Sequence, residues 1–219
     1  MRIKLAYFRP AHEVTPDLLT LYDANRCTVT RQVHFSEQDS DKSLDLLLSV
    51  NGLPVATAEL KNPLTHQDVH HAIRQYREDR KPTEMLFAKR AVVHFAVNPD
   101  EVYLTTRLEG RGTRFLPFNQ GSGGPGQSGG AGNPSHPSGY ASAYLWEQVW
   151  QRDAWLDLLA RYVHVEVDTK GKTKKGTGQK PTVFPRFHQW HAVRTLTGHP
   201  ATHGAGTNYL IQHSAWIHR

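Results

Sequence analysis

A single cysteine, Cys27, in 219 residues excludes any disulfide within the chain and suits a reducing, cytoplasmic setting. Long apolar runs are also missing. No window approaches the roughly 18 consecutive apolar residues of a membrane-spanning helix, and the opening MRIKLAYFRPAHEV has no apolar stretch long enough for a secretory signal. Acidic charge is the scarcer sign, with 20 Asp and Glu against 26 Lys and Arg, so the net charge is +6. An excess of that size suits a polyanionic partner, because each phosphate contact releases condensed counterions. The 14 histidines extend the positive charge below neutral pH. What remains, 38% apolar and 21% charged residues, is the composition of a globular chain and not of a disordered one, and 219 residues suffice for one good-sized core or for one domain plus a fragment of a second.

The spacing predicts an α/β unit over residues 1–165. TPDLLTLYDAN (15–25) reads as a short helix with Thr15 as cap, Pro16 in its first turn and Leu18, Leu19 and Tyr22 on one face. Residues 28–35 alternate as a strand does. Residues 44–50 and 54–61 form two apolar runs joined by Asn51-Gly52, a strong signal for a two-residue hairpin turn. QDVHHAIRQYREDR (67–80) carries Val69, Ala72, Ile73 and Tyr76 at helical spacing, with Pro82 as its stop. Strands are expected over 91–97 and 101–106, with a turn at Asn98-Pro99-Asp100.

Residues 119–139, rich in Gly, Ser and Pro, read as a flexible loop. No strand leads directly into them and no Gly-Lys-Ser/Thr follows, which argues against a phosphate cradle. Helical spacing resumes over 140–162 as one long helix. Residues 166–182, with KGKTKKGTGQKP, read as a basic linker, then 184–196 as a helix and 208–212 as a short strand.

The chemistry gathers at the hairpin. Glu59 and Lys61 are separated by one residue at the end of the second run, so their side chains leave the same face of the strand while Leu60 leaves the other. Asp45 lies in the first run beside Leu44 and Leu46, where an unpaired charge would be costly to bury. Two carboxylates can hold Mg2+, a hard cation that takes oxygen ligands and keeps several waters, with the backbone carbonyl of Leu60 as a third ligand. Such a metal lowers the pKa of a bound water, and Lys61 would orient or help deprotonate that water or stabilise the phosphate. The bland alternative makes all three residues solvated charges on a hairpin.

SLDLLLSVNGLPVATAELKNP resembles the PD-(D/E)xK nuclease core, with Asp45 as first acid and Glu59-Leu60-Lys61 as the ExK element. With AIRQYREDR, FAVNPDEVYLTTRLEG, TRFLPFNQG, YLWEQVWQRDAWLDLLARYVHVE and FPRFHQW in order, the chain resembles the R (restriction) subunit of type I restriction-modification enzymes. The resemblance implies a mixed sheet flanked by helices, Mg2+ as cofactor, double-stranded DNA as substrate, and the modification (methyltransferase) and specificity subunits as partners. It also implies that a Gln-x-x-x-Tyr element on a helix supports the site. Here it is half met, since Asp79 stands four residues after Gln75 and Ala72 four before Tyr76. Gln75 is therefore the candidate, and Tyr76 a core contact.

The same resemblance makes residues 183–219 the start of a helicase-like ATPase domain, with Gln189 of FPRFHQW as the adenine-reading residue. After NYLIQHSA, however, the chain reads Trp216-Ile217-His218-Arg219 where the family has a Gly-Ser-Gly-Lys-Ser phosphate loop. With no lysine for the β- and γ-phosphates, ATP hydrolysis is not expected. The reading is an R subunit truncated before its motor, and it leaves two functions open: a Mg2+-dependent endonuclease without translocation, or a non-catalytic remnant that binds DNA or partner subunits. His66 and His70, one turn apart with Asp68 between, lack the third and fourth ligands that zinc needs.

Overall fold

Asn51 and Gly52 turn the chain back on itself with φ of 52° and 80°, the left-handed pair that a two-residue hairpin requires. The computed structural model describes residues 4–10, 15–36, 39–62, 64, 66–165, 182–204 and 206–211. Within them the strands β1 (Cys27–His34), β2 (Ser43–Val50), β3 (Leu53–Leu60), β4 (Val93–Val97), β5 (Val102–Thr105) and β6 (Leu116–Pro117) form one six-stranded sheet in chain order. Every neighbouring pair is antiparallel except β3 and β4, which run parallel. A parallel pair needs a crossover, and helix α2 (Val69–Glu78) followed by a π-helical turn (Leu86–Arg90) supplies it. The C-terminal ends of β3 and β4 therefore lie side by side, with Glu59 paired to Ala96 and Leu60 to Val97.

α2 lays Val69, Ala72, Ile73 and Tyr76 against one face of the sheet, all buried, as the i, i+3, i+4, i+7 spacing dictates. It begins where Asp68 accepts the amide of His71 and the His71 ring answers the Asp68 amide. It stops at Glu78, with Asp79 as C-cap, ahead of the expected stop at Pro82. Tyr76 joins Leu44, Leu86 and Phe87 in one apolar cluster, and its hydroxyl bonds Thr57, which in turn bonds His94.

The opposite face is covered by helix α1 (Pro16–Asp23), a π-helical turn (Leu145–Val149), and helices α3 (Arg152–Arg161) and α4 (Phe187–His203). In α1 only Tyr22 is buried, and Thr15 occupies the N-cap position without a side-chain cap bond. The single helix expected over 140–162 is broken at Trp150 and Gln151, between the π-helical turn and α3. Trp150 packs edge-on against Phe95, an inward contact that an unbroken α-helix would have to forgo to keep its own register. The glycine-rich segment 119–139 carries no helix or strand. It is nonetheless tied down: Asn133 donates to the carbonyl of Asp100 and accepts the amide of Gln120, and Gly121 donates to Gly132.

Phe184, Phe187 and Trp190 lie in the main core with Phe95, Phe118 and Trp155, so the first turns of the segment 183–219 pack onto the sheet and not apart from it. A two-residue ribbon, β7 (His164–Val165) with β8 (Thr182–Val183), leads into that segment. The basic linker reading falls on 166–181, outside the described residues. The strand expected over 208–212 does not form across 208–211: no strand edge pairs with it there, and Leu210 is 95% exposed. Among the described residues no helix is long and apolar enough to cross a membrane.

Replacing Phe187 by Ala in the full chain is expected to cost about 3–5 kcal/mol in urea unfolding. Val193→Ala, on the exposed side of the same helix, is expected to cost no more than about 0.5 kcal/mol. Equal costs would remove residues 184–190 from the core.

Candidate active site

The end of β3 is held from both sides. The amide of Leu60 donates to Asp45 Oδ2 at 2.7 Å, and the amide of Lys61 donates to the carbonyl of Val97 at 2.8 Å. Asp45 thereby reaches across from β2 to the backbone between Glu59 and Lys61, which places the first acid of the motif beside the second. Its other oxygen accepts from the side-chain amide of Gln32 at 3.2 Å. Gln32 sits on the edge strand β1 with φ of 51°, a left-handed conformation that costs a non-glycine residue about 1–3 kcal/mol. The Asp45 charge among leucines is thus not left unpaired: it is half-buried and hydrogen-bonded on both oxygens.

Glu59 and Lys61 share the face that α2 covers, as the alternation predicts. Glu59 has no exposed surface. Lys61 is half-buried and donates to Gln75 Oε1 on α2 at 2.6 Å, so Asp45, Glu59, Lys61 and Gln75 converge at one end of the sheet. Leu60 faces away and is 41% exposed. Beside Lys61 an open depression of about 340 Å³ is bordered by Gln67, His71, Arg74, Gln75, Glu78 and Asp79, so the lysine lies at the surface end of the site, while Glu59 is buried behind it and does not line the depression.

Sequence reasoning missed Arg80. It lies just past the end of α2, is 4% exposed, and directs Nε and Nη2 onto the same Glu59 oxygen, Oε1, at 2.8 and 2.6 Å. Nη2 also donates to the carbonyl of Ser43 at 2.7 Å. Glu59 Oε2 is buried and has no hydrogen-bond partner among the described residues. Burial pushes the Glu59 carboxyl up to about 7; the Arg80 charge and hydrogen bonds oppose that shift, and Asp45 adds to it. The signal for Arg80 lay in Glu59 itself, since a carboxylate at an inward strand position needs a buried cation. The sequence held several candidates for that cation.

The orphaned Oε2 beside Asp45 fits a divalent cation, which would hold Glu59 ionised and satisfy its free oxygen. Among the described residues no third His, Cys, Asp or Glu joins these two, so backbone carbonyls and water would complete the shell, as Mg2+ allows. Gln189 lies elsewhere, on the first turn of α4, where its Oε1 accepts the amide of Arg186. His66 and His70 do not pair with each other: Asp68 pairs with His71, and the His70 ring faces Tyr103.

A carboxyl whose folded pKa lies above its unfolded value binds its proton more tightly in the folded state. Stability therefore falls as pH rises from about 4.5 to about 7 and is level above that. Buried His94, pushed down to about 3, acts in the opposite direction below pH 6.5. The Glu59 contribution is isolated by difference. In metal-free buffer, the stability of Glu59→Gln relative to the unmodified chain should rise between pH 4.5 and 7 in chemical denaturation. A gap independent of pH would show that Glu59 is ionised throughout.

No curated protein matches the chain. Residues 13–113, which include Asp45, Glu59, Lys61, Gln75 and Arg80, match the family model of the type I restriction enzyme R protein N terminus. Over that span the chain is similar to the N-terminal domain of type I restriction enzyme R proteins.

Proposed function

We propose that this site hydrolyses DNA phosphodiesters with Mg2+, as the nuclease centre of a restriction-enzyme R subunit. The observation that carries the reading is the bare, buried Oε2 of Glu59 beside Asp45, next to a lysine oriented by a helix. Asp45 and Glu59 would hold the cation, with the Leu60 carbonyl as a third oxygen. When bound, the metal supplies a water of lowered pKa and neutralises charge that develops on the scissile phosphate.

The remaining steps belong to side chains of the chain. Gln75 takes one of the three ammonium donors of Lys61 and fixes its direction, leaving two for the attacking water or a phosphate oxygen. Lys61 then stabilises the oxygen that gains charge as the water attacks. In this reading Arg74 and His71 would meet the DNA backbone from a rim they share with Glu78 and Asp79, and the net charge of +6 favours that approach. Double-stranded DNA is the substrate in this reading, the modification and specificity subunits of the same system are the partners, and the cytoplasm is the setting.

Purified protein should nick supercoiled plasmid with Mg2+ and not with EDTA. Lys61→Ala should lower the rate by about a hundredfold or more while far-UV circular dichroism stays unchanged. Equal nicking by the Lys61→Ala chain would move the chemistry elsewhere. No metal-dependent nicking at all would make the site a non-catalytic DNA- or subunit-binding remnant.

A further inference from the structure

We propose that Arg80 is the positioning residue of this centre: its buried guanidinium locks β2, β3 and the end of α2 into one frame and leaves a single Glu59 oxygen bare for a divalent cation. The inference rests on the phosphodiesterase reading above and adds to it a residue outside the motif.

The geometry is specific. A carboxylate and a guanidinium commonly meet fork to fork, one donor for each oxygen. Here Nε and Nη2 both converge on Oε1, and Nη2 is shared with the carbonyl of Ser43, two residues before Asp45. One planar group thus touches the strand that carries Asp45 and the strand that carries Glu59, and it follows directly on the helix whose Gln75 holds Lys61. The Phe35 ring closes over it, with its centroid 5.3 Å from the guanidinium carbon.

Every donor that reaches Glu59 goes to one oxygen. The other is buried and, among the described residues, unpartnered, a rare state for a polar atom in a folded protein. A group that served only to neutralise Glu59 would have no reason to bind the Ser43 carbonyl or to leave Oε2 bare. Lysine in its place would keep the charge but is a single point without the planar fork, so it could not hold the same bridge. Charge and positioning therefore separate in one substitution.

The test is Mn2+ binding to the full chain, measured as free Mn2+ by electron paramagnetic resonance, with fold monitored by circular dichroism and thermal melting. Arg80→Lys is expected to stay folded and bind Mn2+ about 10–100-fold more weakly, the loss typical when the support of a metal ligand is removed. In a Glu59→Gln background, Arg80→Met should change the residual binding no further, because Arg80 acts through Glu59. That double variant replaces both charges by neutral groups of similar size, so it tests the idea even if Arg80→Lys fails to fold.

Wild-type affinity in a folded Arg80→Lys chain would overturn the proposal, as would an additional loss from Arg80→Met in the Glu59→Gln background. Asp45→Asn separates the two readings. If the unmodified chain takes up no Mn2+, or Asp45→Asn binds it equally well, the phosphodiesterase site falls and Arg80 with it. If Asp45→Asn abolishes binding and Arg80→Lys does not alter it, only the role of Arg80 falls.

Discussion

A carboxylate with no exposed surface must be paired, neutralised or bound to a metal, and Glu59 at the end of β3 imposes that demand on everything around it. Arg80 meets it on one oxygen only. To bring Arg80 there, α2 must cross over β3 and end close to the start of β2. This makes the parallel β3–β4 pair and its crossover helix a condition of the site and not only of the sheet. Breaking one side of such a buried pair typically costs about 3–5 kcal/mol, a large share of the stability of a domain this size. The charge pair therefore binds the candidate site to the fold.

The two faces of the sheet have different tasks. The face under α2 is built around polar atoms: Thr57, Tyr76 and His94 form a buried hydrogen-bonded chain, and Glu59 and Arg80 continue the polar layer toward the site. The other face is apolar and aromatic, with Phe95, Phe118, Trp155, Phe184 and Phe187 meeting at tilted and edge-on angles. Stability from that side allows the α2 side to spend free energy on buried charge and on the left-handed Gln32 next to Asp45. Phe184, Phe187 and Trp190 complete the aromatic layer, so the first turns of α4 are joined to the domain through its core.

Local signals read well. The Asn51-Gly52 turn, the amphipathic α2 and the strands around Asn98-Pro99-Asp100 all formed near their expected positions, because each depends on residues within a few places of one another. The errors have one source. The helix over 140–162 broke where Trp150 turns to meet Phe95, and the strand near 208 found no edge to pair with. Both outcomes were set by residues or edges far away in sequence.

The same division runs through the site. Spacing alone put Glu59 and Lys61 on one face, because a strand alternates its side chains, and the hairpin turn brought Asp45 opposite them. Gln75 came only from the resemblance, through a Gln-x-x-x-Tyr element that the sequence half meets. Only the tertiary structure decided that Glu59 is buried, that Arg80 holds one of its oxygens and leaves the other bare, and that residues 184–190 close the core. Those outcomes depend on which distant groups share a dry interior, and burial is a property of the whole packed chain, not of any window within it.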